Sequence, residues 1–348
     1  MTNLIGRPAE EIESLVAPHT DRSFRSRQVA HWILQRHATS FDDMTNLPAD
    51  LRRRLGEVFV IDDPEVVESR ASADGAQKFL FRLSDGVTVE GVAMPEGRKL
   101  TLCLSTQAGC AVGCRFCVTG ALGAGRNLLP AEIVGQYRAM LRSASDDVER
   151  VNIVFMGMGE PLLNTRHLGT ALDVLYERVS PKRITVSTAG ILPGIQWLAQ
   201  RPRRPKLAIS LNAPDQERRT EIMPITIRYP LDDLMDEVRR FPLERGRRVT
   251  FEYVLIRDFN DRQGDPALIA RLLHGIPNKV NVIPLNEDPD HLPGLHRPAE
   301  DSIDRFAAAL SERGLTVTVR WSRGHDVAGA CGQLKGQNRS SQKLKVEG

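Results

Sequence analysis

The chain has 348 residues, 41% hydrophobic and 26% charged, with a formal net charge of +3. That balance excludes a disordered or collagen-like chain and suits one large domain with an accessory piece. Aromatic residues make up only 5%, which argues against an aromatic-rich sheet as a stacking surface for bases.

No run of about 18 apolar residues occurs, so no membrane span is expected. The opening stretch, residues 1–15, carries three glutamates and no basic leader, unlike a signal peptide. A cytoplasmic protein is expected, and structural disulfides are rare in that compartment.

Residues 1–72 read as a helical accessory unit. Phe24, Val29, Trp32 and Ile33 recur at helical spacing, and a second helix follows Pro48. Residues 73–98 read as a β-hairpin extension turning at Asp85-Gly86. From residue 99 apolar, β-branched runs alternate with helical segments. Strands are expected over 99–106, 151–157, 183–190, 206–212, 249–256, 279–286 and 315–321, with helices over 130–141 and 167–177. This pattern predicts an α/β fold of about six βα units over 99–335, a partial or closed parallel barrel, with ligands at the carboxyl ends of its strands. A basic tail covers 336–348.

The five cysteines split three plus two. Cys110, Cys114 and Cys117 lie within eight residues, and Cys103 and Cys331 stand apart. An odd number cannot form a complete set of intrachain disulfides. Zinc would need a fourth ligand, and the nearest histidines, His37 and His167, are about 50 or more residues from the triplet. Three soft thiolates instead suit an iron–sulfur cluster with one iron left open for a small ligand. Gly109, Gly113 and Gly120 let the loop wrap closely.

Polar groups follow the apolar runs. Gly159 and Glu160 come after VNIVF, with Glu160 a candidate acceptor for an ammonium group. Ser187, Ser210, Asn212 and Asn286 each stand just past a strand, where they suit ribose hydroxyls and adenine edges.

Cys-x3-Cys-x2-Cys with Phe116 before the last cysteine is similar to the signature of the radical S-adenosylmethionine (SAM) superfamily. Over nearly the whole chain, FRSRQVAHWI, FDDMTNLP, CLSTQAGCAVGCRFCVTG, GMGEPLLN, ITVSTAG, AISLNAP, FEYVLI, VIPLN and ACGQL resemble the radical SAM adenine methyltransferases of RNA, the RlmN/Cfr type.

That resemblance implies a 4Fe-4S cluster on Cys110, Cys114 and Cys117. It implies SAM contacts at Gly159, Glu160, Ser187, Ser210, Leu211, Asn212 and Asn286. It makes Cys331 the cysteine that becomes S-methylated, Cys103 its disulfide partner in turnover, and Glu90 a proton acceptor. It also implies a SAM-dependent RNA methyltransferase acting on adenosine C2 in 23S rRNA, with the adenosine 3′ to the anticodon of tRNA as a second substrate. An electron donor such as flavodoxin or ferredoxin and a monomeric state go with it. The alternatives are C8 methylation and a non-catalytic RNA-binding relative. The chain departs from the usual pattern at Asn212 (commonly His), Val118 (commonly Ser or Ala) and Ala189 (commonly Ser).

The chemistry agrees on independent grounds. Adenine C2 is an electron-poor amidine carbon that does not attack a methyl sulfonium, so methylation there calls for a radical route. Contact with RNA phosphates is expected from residues 201–206, residues 244–248, and the tail from Lys335 to Lys345.

Overall fold

The computed structural model describes residues 1–336, and the rest of the expected basic tail lies outside the described residues. A short strand β1 (Thr2–Asn3) pairs in parallel with β2 (Phe59–Val60). Between them lie helices α1 (Ala9–Val16), α2 (Ser23–Leu34) and α3 (Ala49–Val58). The second and third are the helices expected from periodicity. The first escapes such a reading because it buries only Ile12 and Val16.

Residues 59–71, read with the helical unit, are extended. Beyond β2, strand β3 (Glu65–Ala71) pairs antiparallel with β4 (Gln77–Arg82), which pairs antiparallel with β5 (Thr88–Glu96). The hairpin is therefore three-stranded. β3 ends the sheet with almost no buried residue, so it lacks the alternation that marks a strand in sequence.

β5 pairs antiparallel with β6 (Lys99–Cys103) and so joins the hairpin to the main sheet. From β6 onward each strand lies parallel to the one before it. These are β7 (Arg150–Phe155), β8 (Ile184–Thr188), β9 (Lys206–Ser210), β10 (Val249–Leu255), β11 (Asn278–Pro284) and β12 (Val317–Val319). Connecting helices are α4 (Val118–Ala121), α5 (Pro130–Arg142), α6 (Thr165–Leu175), α7 (Leu192–Ala199), α8 (Gln216–Ile222), α9 (Leu231–Arg240), α10 (Asp265–Leu272) and α11 (Glu300–Ser311). The strand order runs linearly from β12 to β3. The terminal strands do not pair with one another among the described residues, which makes the parallel sheet a partial barrel.

One buried cation ties the N-terminal helices to this core. Arg138 of α5 is 2% exposed. Its Nε donates to Asp63 Oδ1 at 2.8 Å, and its two Nη atoms donate to the Ile33 and Ala38 carbonyls, each at 2.6 Å. Removing one member of a buried, hydrogen-bonded charge pair costs about 3–5 kcal/mol. Arg138→Ala is expected to lower stability by that amount, read as a fall in the urea midpoint. An unchanged midpoint would mean that the clasp contributes nothing.

Candidate active site

The predicted site residues gather at the carboxyl ends of the parallel strands. Cys110, Cys114, Cys117, Gly159, Glu160, Ser187, Ser210, Asn212, Asn286 and Cys331 all line one cavity. The loop after β6 that carries the three cysteines closes on itself, with the Cys110 N–H donating to the Gly123 carbonyl at 2.8 Å. Gly125 makes the closure possible, because a Cβ there would stand 1.5 Å from the Ala108 oxygen. A small apolar cluster of Val112, Ala189, Ile222, Met223, Ile256 and Leu285 packs against Cys110 and Cys114.

Burial pushes the Cys110 thiol up to about 12 and the Cys114 thiol well above the usual cysteine range. Thiolates in such a place need positive charge beside them. Arg219 of α8 supplies it. It is fully buried, and burial lowers its guanidinium to about 10 against the opposing field of Cys114. Its donors go to the Leu211, Ala189 and Ser210 carbonyls and to Thr226 Oγ1, and among the described residues no carboxylate lies within 4.0 Å of it. Three thiols backed by an unneutralised guanidinium fit a thiolate-bound iron–sulfur cluster. Among the described residues no three His, Cys, Asp or Glu side chains converge on a single-ion position. Ligands that each hold a different iron stand farther apart than that.

Glu160 follows β7. Its Oε1 accepts from the Leu162 N–H at 3.0 Å and its Oε2 from the Ala189 N–H at 2.8 Å. Burial raises its carboxyl to about 7. Gly159, at φ +95°, passes so close to Gln107 that a Cβ would sit 2.4 Å from the Gln107 Cβ. No other residue fits that approach.

The departures at Ala189 and Val118 fall where the main chain makes the polar contacts. The Ala189 N–H binds Glu160 and its carbonyl binds Arg219, while the Val118 N–H donates to the Gly332 carbonyl at 2.7 Å. Asn212 sits at φ +54°, a left-handed conformation that asparagine tolerates, and its Oδ1 accepts from the Val254 N–H at 2.8 Å. Leu211 is fully buried and does not line the cavity.

Cys331 lies on the wall between this cavity and a second one, which is also lined by Cys103, Met156, Arg320 and Trp321. Asn286 Nδ2 donates to the Cys331 carbonyl at 2.9 Å. Burial pushes the Cys103 thiol up to about 12, with Cys331 adding to the rise, while the Met156 N–H donates to its sulfur. All five cysteines are free thiols.

Glu90 stands apart from both cavities. Its carboxylate pairs with Lys78 at 3.1 Å and accepts from the Lys335 N–H at 2.9 Å, so it anchors the segment after Cys331. The basic runs at 201–206 and 244–248 precede β9 and β10, at the end of the sheet away from the cysteines. Three of their arginines are engaged locally, Arg201 on Asp173 and Trp197, Arg203 on Tyr176, and Arg247 on Glu244.

Sequence reasoning passed over Arg219, Glu252 and Asn260, which are buried polar residues of this site. Glu252 lines the first cavity with Oε2 unpartnered. Asn260 Nδ2 donates to the Asn212 and Val254 carbonyls. A size criterion would also have missed the site. A cleft of about 1050 Å³ between the N-terminal unit and the β4–β5 turn holds none of the predicted residues.

A partial parallel barrel with a three-cysteine loop after its first parallel strand, facing a Gly-Glu turn after the next, defines a radical SAM enzyme. The family models agree. Residues 104–267 match the radical SAM superfamily, and residues 2–61 match the ribosomal RNA large subunit methyltransferase N-terminal domain. The dual-specificity RNA methyltransferase RlmN of Anaeromyxobacter dehalogenans is 45% identical over 337 residues, 94% of this chain and 90% of that protein. That of Geobacter sulfurreducens is 45% identical over 343 residues, 97% and 93% of the two chains. The crystal structure of a radical SAM methyltransferase from Sphaerobacter thermophilus superposes with a TM-score of 0.91 at 40% identity, covering 97% of this chain and all of that one. The chain belongs to the RlmN family of radical SAM RNA methyltransferases. SAM and a 4Fe-4S cluster go with that superfamily in general. Among the described residues no helix is long and apolar enough to cross a membrane.

Proposed function

We propose that this chain methylates C2 of adenosine in 23S rRNA and also acts on tRNA, at the adenosine 3′ to the anticodon, a reading supported by relatives whose name gives them dual specificity on RNA. The observation that carries this reading is the position of Cys331 on the wall shared by two cavities, with the cluster triplet in one and Cys103 in the other.

In this reading Cys110, Cys114 and Cys117 hold the cluster, with Arg219 balancing its charge. Glu160 takes the SAM ammonium, while Ser187, Ser210, Asn212, Asn286 and the backbone at Leu211 frame the rest of the molecule. Bound there, cluster and SAM together supply a transferable methyl group and a hydrogen-abstracting carbon radical.

Cys331 Sγ gives up its proton and accepts the methyl carbon. Coupling of that carbon to the base is completed by loss of the ring proton and of one electron, for which the bound cluster would be the acceptor. Cys103 Sγ then attacks Cys331 Sγ: the S–S bond forms as the S–C bond breaks, the Cys103 thiol proton passes to the departing carbon, and the methylated base leaves. A reductant then returns both thiols, and an electron donor of the flavodoxin or ferredoxin kind serves the cluster. Glu90, committed to Lys78 and Lys335, steadies the Cys331 segment, which leaves Cys103 as the better placed base for the ring proton.

The test is mass spectrometry of RNA nucleosides from cells with and without the gene. Gene-dependent 2-methyladenosine is expected. Gene-dependent 8-methyladenosine would replace the regiochemistry, and no change in either would overturn the assignment. Glu160→Ala is expected to weaken SAM binding about tenfold, the scale of one charge-assisted hydrogen bond, while the cluster absorbance survives. Unchanged affinity by calorimetry would reduce Glu160 to a cap on its own turn.

A further inference from the structure

The cavity that holds Cys103 has an aromatic rim. Trp321 lies two residues past β12, lines that cavity and is 45% exposed. The aromatic residues of the other cavity, Phe116 and Phe155, are not exposed. The Arg297 guanidinium, on the loop after β11, lies over the Trp321 ring at 5.0 Å from its centroid. One guanidinium covers one face of an indole and adds positive charge beside the other. Arg323 holds this rim in place from the inside, since its two Nη atoms donate to the Pro95 and Asp74 carbonyls.

A target adenine must leave its stack to bring a ring carbon to Cys331, and its phosphates cannot follow it into the cavity. Extrusion leaves the neighbouring base with one bare face at the cavity mouth. An exposed indole at that mouth can take it, and base–aromatic stacking is tolerant of sequence because every base has a π-face.

We propose that Trp321, steadied by Arg297, stacks on the nucleobase flanking the target adenosine. This rests on the RNA methyltransferase reading above. It places the RNA contact at the carboxyl end of the sheet, away from the basic runs at 201–206 and 244–248.

The test uses the cluster-reconstituted full chain, an unmodified 23S rRNA transcript, and two further transcripts that lack the base on the 5′ or the 3′ side of the target. Trp321→Ala is expected to weaken RNA binding roughly tenfold at fixed salt, within the range found for one lost stack. Trp321→Phe should restore most of the affinity. Removing one flanking base should cost the wild type a similar factor and cost Trp321→Ala nothing more, so the two losses are not additive.

Full affinity in Trp321→Ala overturns the proposal. So do losses that add on both abasic transcripts, because a merely structural role for Trp321 gives that result. Methylation of the intact transcript is measured in parallel. Wild-type protein that methylates without coupling strikes only the stacking. Wild-type protein that leaves the transcript unmodified overturns the methyltransferase reading and this contact together.

Discussion

Cys103→Ala protein purified from expressing cells will carry RNA on a covalent bond, and Cys331→Ala protein will not. The two thiols face the same cavity, but only Cys331 also faces the cluster triplet. Without Cys331 there is no acceptor for the methyl group, and nothing can join protein to base. Without Cys103 the methylene bridge between Cys331 and the base forms, and no thiol is left to release it. Both variants should fall to background in multiple-turnover methylation. They differ on a denaturing gel, where the Cys103→Ala band should shift and collapse on ribonuclease treatment. Two unshifted bands, or RNA on Cys331→Ala, would show that the roles are wrong or reversed.

Cys114→Ala should strip the protein of its brown colour and of SAM cleavage. Iron should fall from about four atoms per chain to near zero, because two thiolates do not retain a cluster that needs three. Arg219 makes the loss steeper. Its guanidinium is buried next to Cys114 and its donors meet only carbonyls and a hydroxyl. With the thiolate charge gone, a buried cation stands uncompensated, and urea unfolding should show lower stability as well. Anaerobic reconstitution followed by iron analysis decides the matter. Full iron content in Cys114→Ala would remove Cys114 from the ligand set.

The strands after residue 99 were legible because they are short apolar runs, most of them closed by glycine or a small polar residue, and the same punctuation marks the site. Glu160, Ser187, Ser210 and Asn286 were candidates by position, at or just past the ends of apolar runs, but position alone suits a turn or a helix cap equally well; the motifs around them made them a set, and the structure puts all four on one cavity wall. Cys331 is loop-like in sequence and became informative only through the motif around it. Arg219 could not be read. It sits among other charged residues in QERRTEI, and it is distinguished only by the carbonyls at the ends of β8 and β9 that it collects in space. Glu90 could be placed by its motif, but its neighbours could not be read: its carboxylate meets Lys78 and the Lys335 N–H, which lie on other parts of the chain. β3 was missed because an exposed edge strand carries no burial signal.

The segment around Cys331 is held on several sides. Its carbonyl takes a hydrogen bond from Asn286, the Gly332 carbonyl takes one from Val118, the Gln333 N–H reaches back to the Ala330 carbonyl, and Lys335 is fixed on Glu90. A main chain pinned in this way does not swing a sulfur from one chamber to the next. What remains free to turn is the side chain, about a single bond with three staggered wells. In the reading proposed above, one such turn carries the methyl carbon from the chamber of the cluster triplet to the chamber of Cys103 without breaking any of the contacts that hold the main chain.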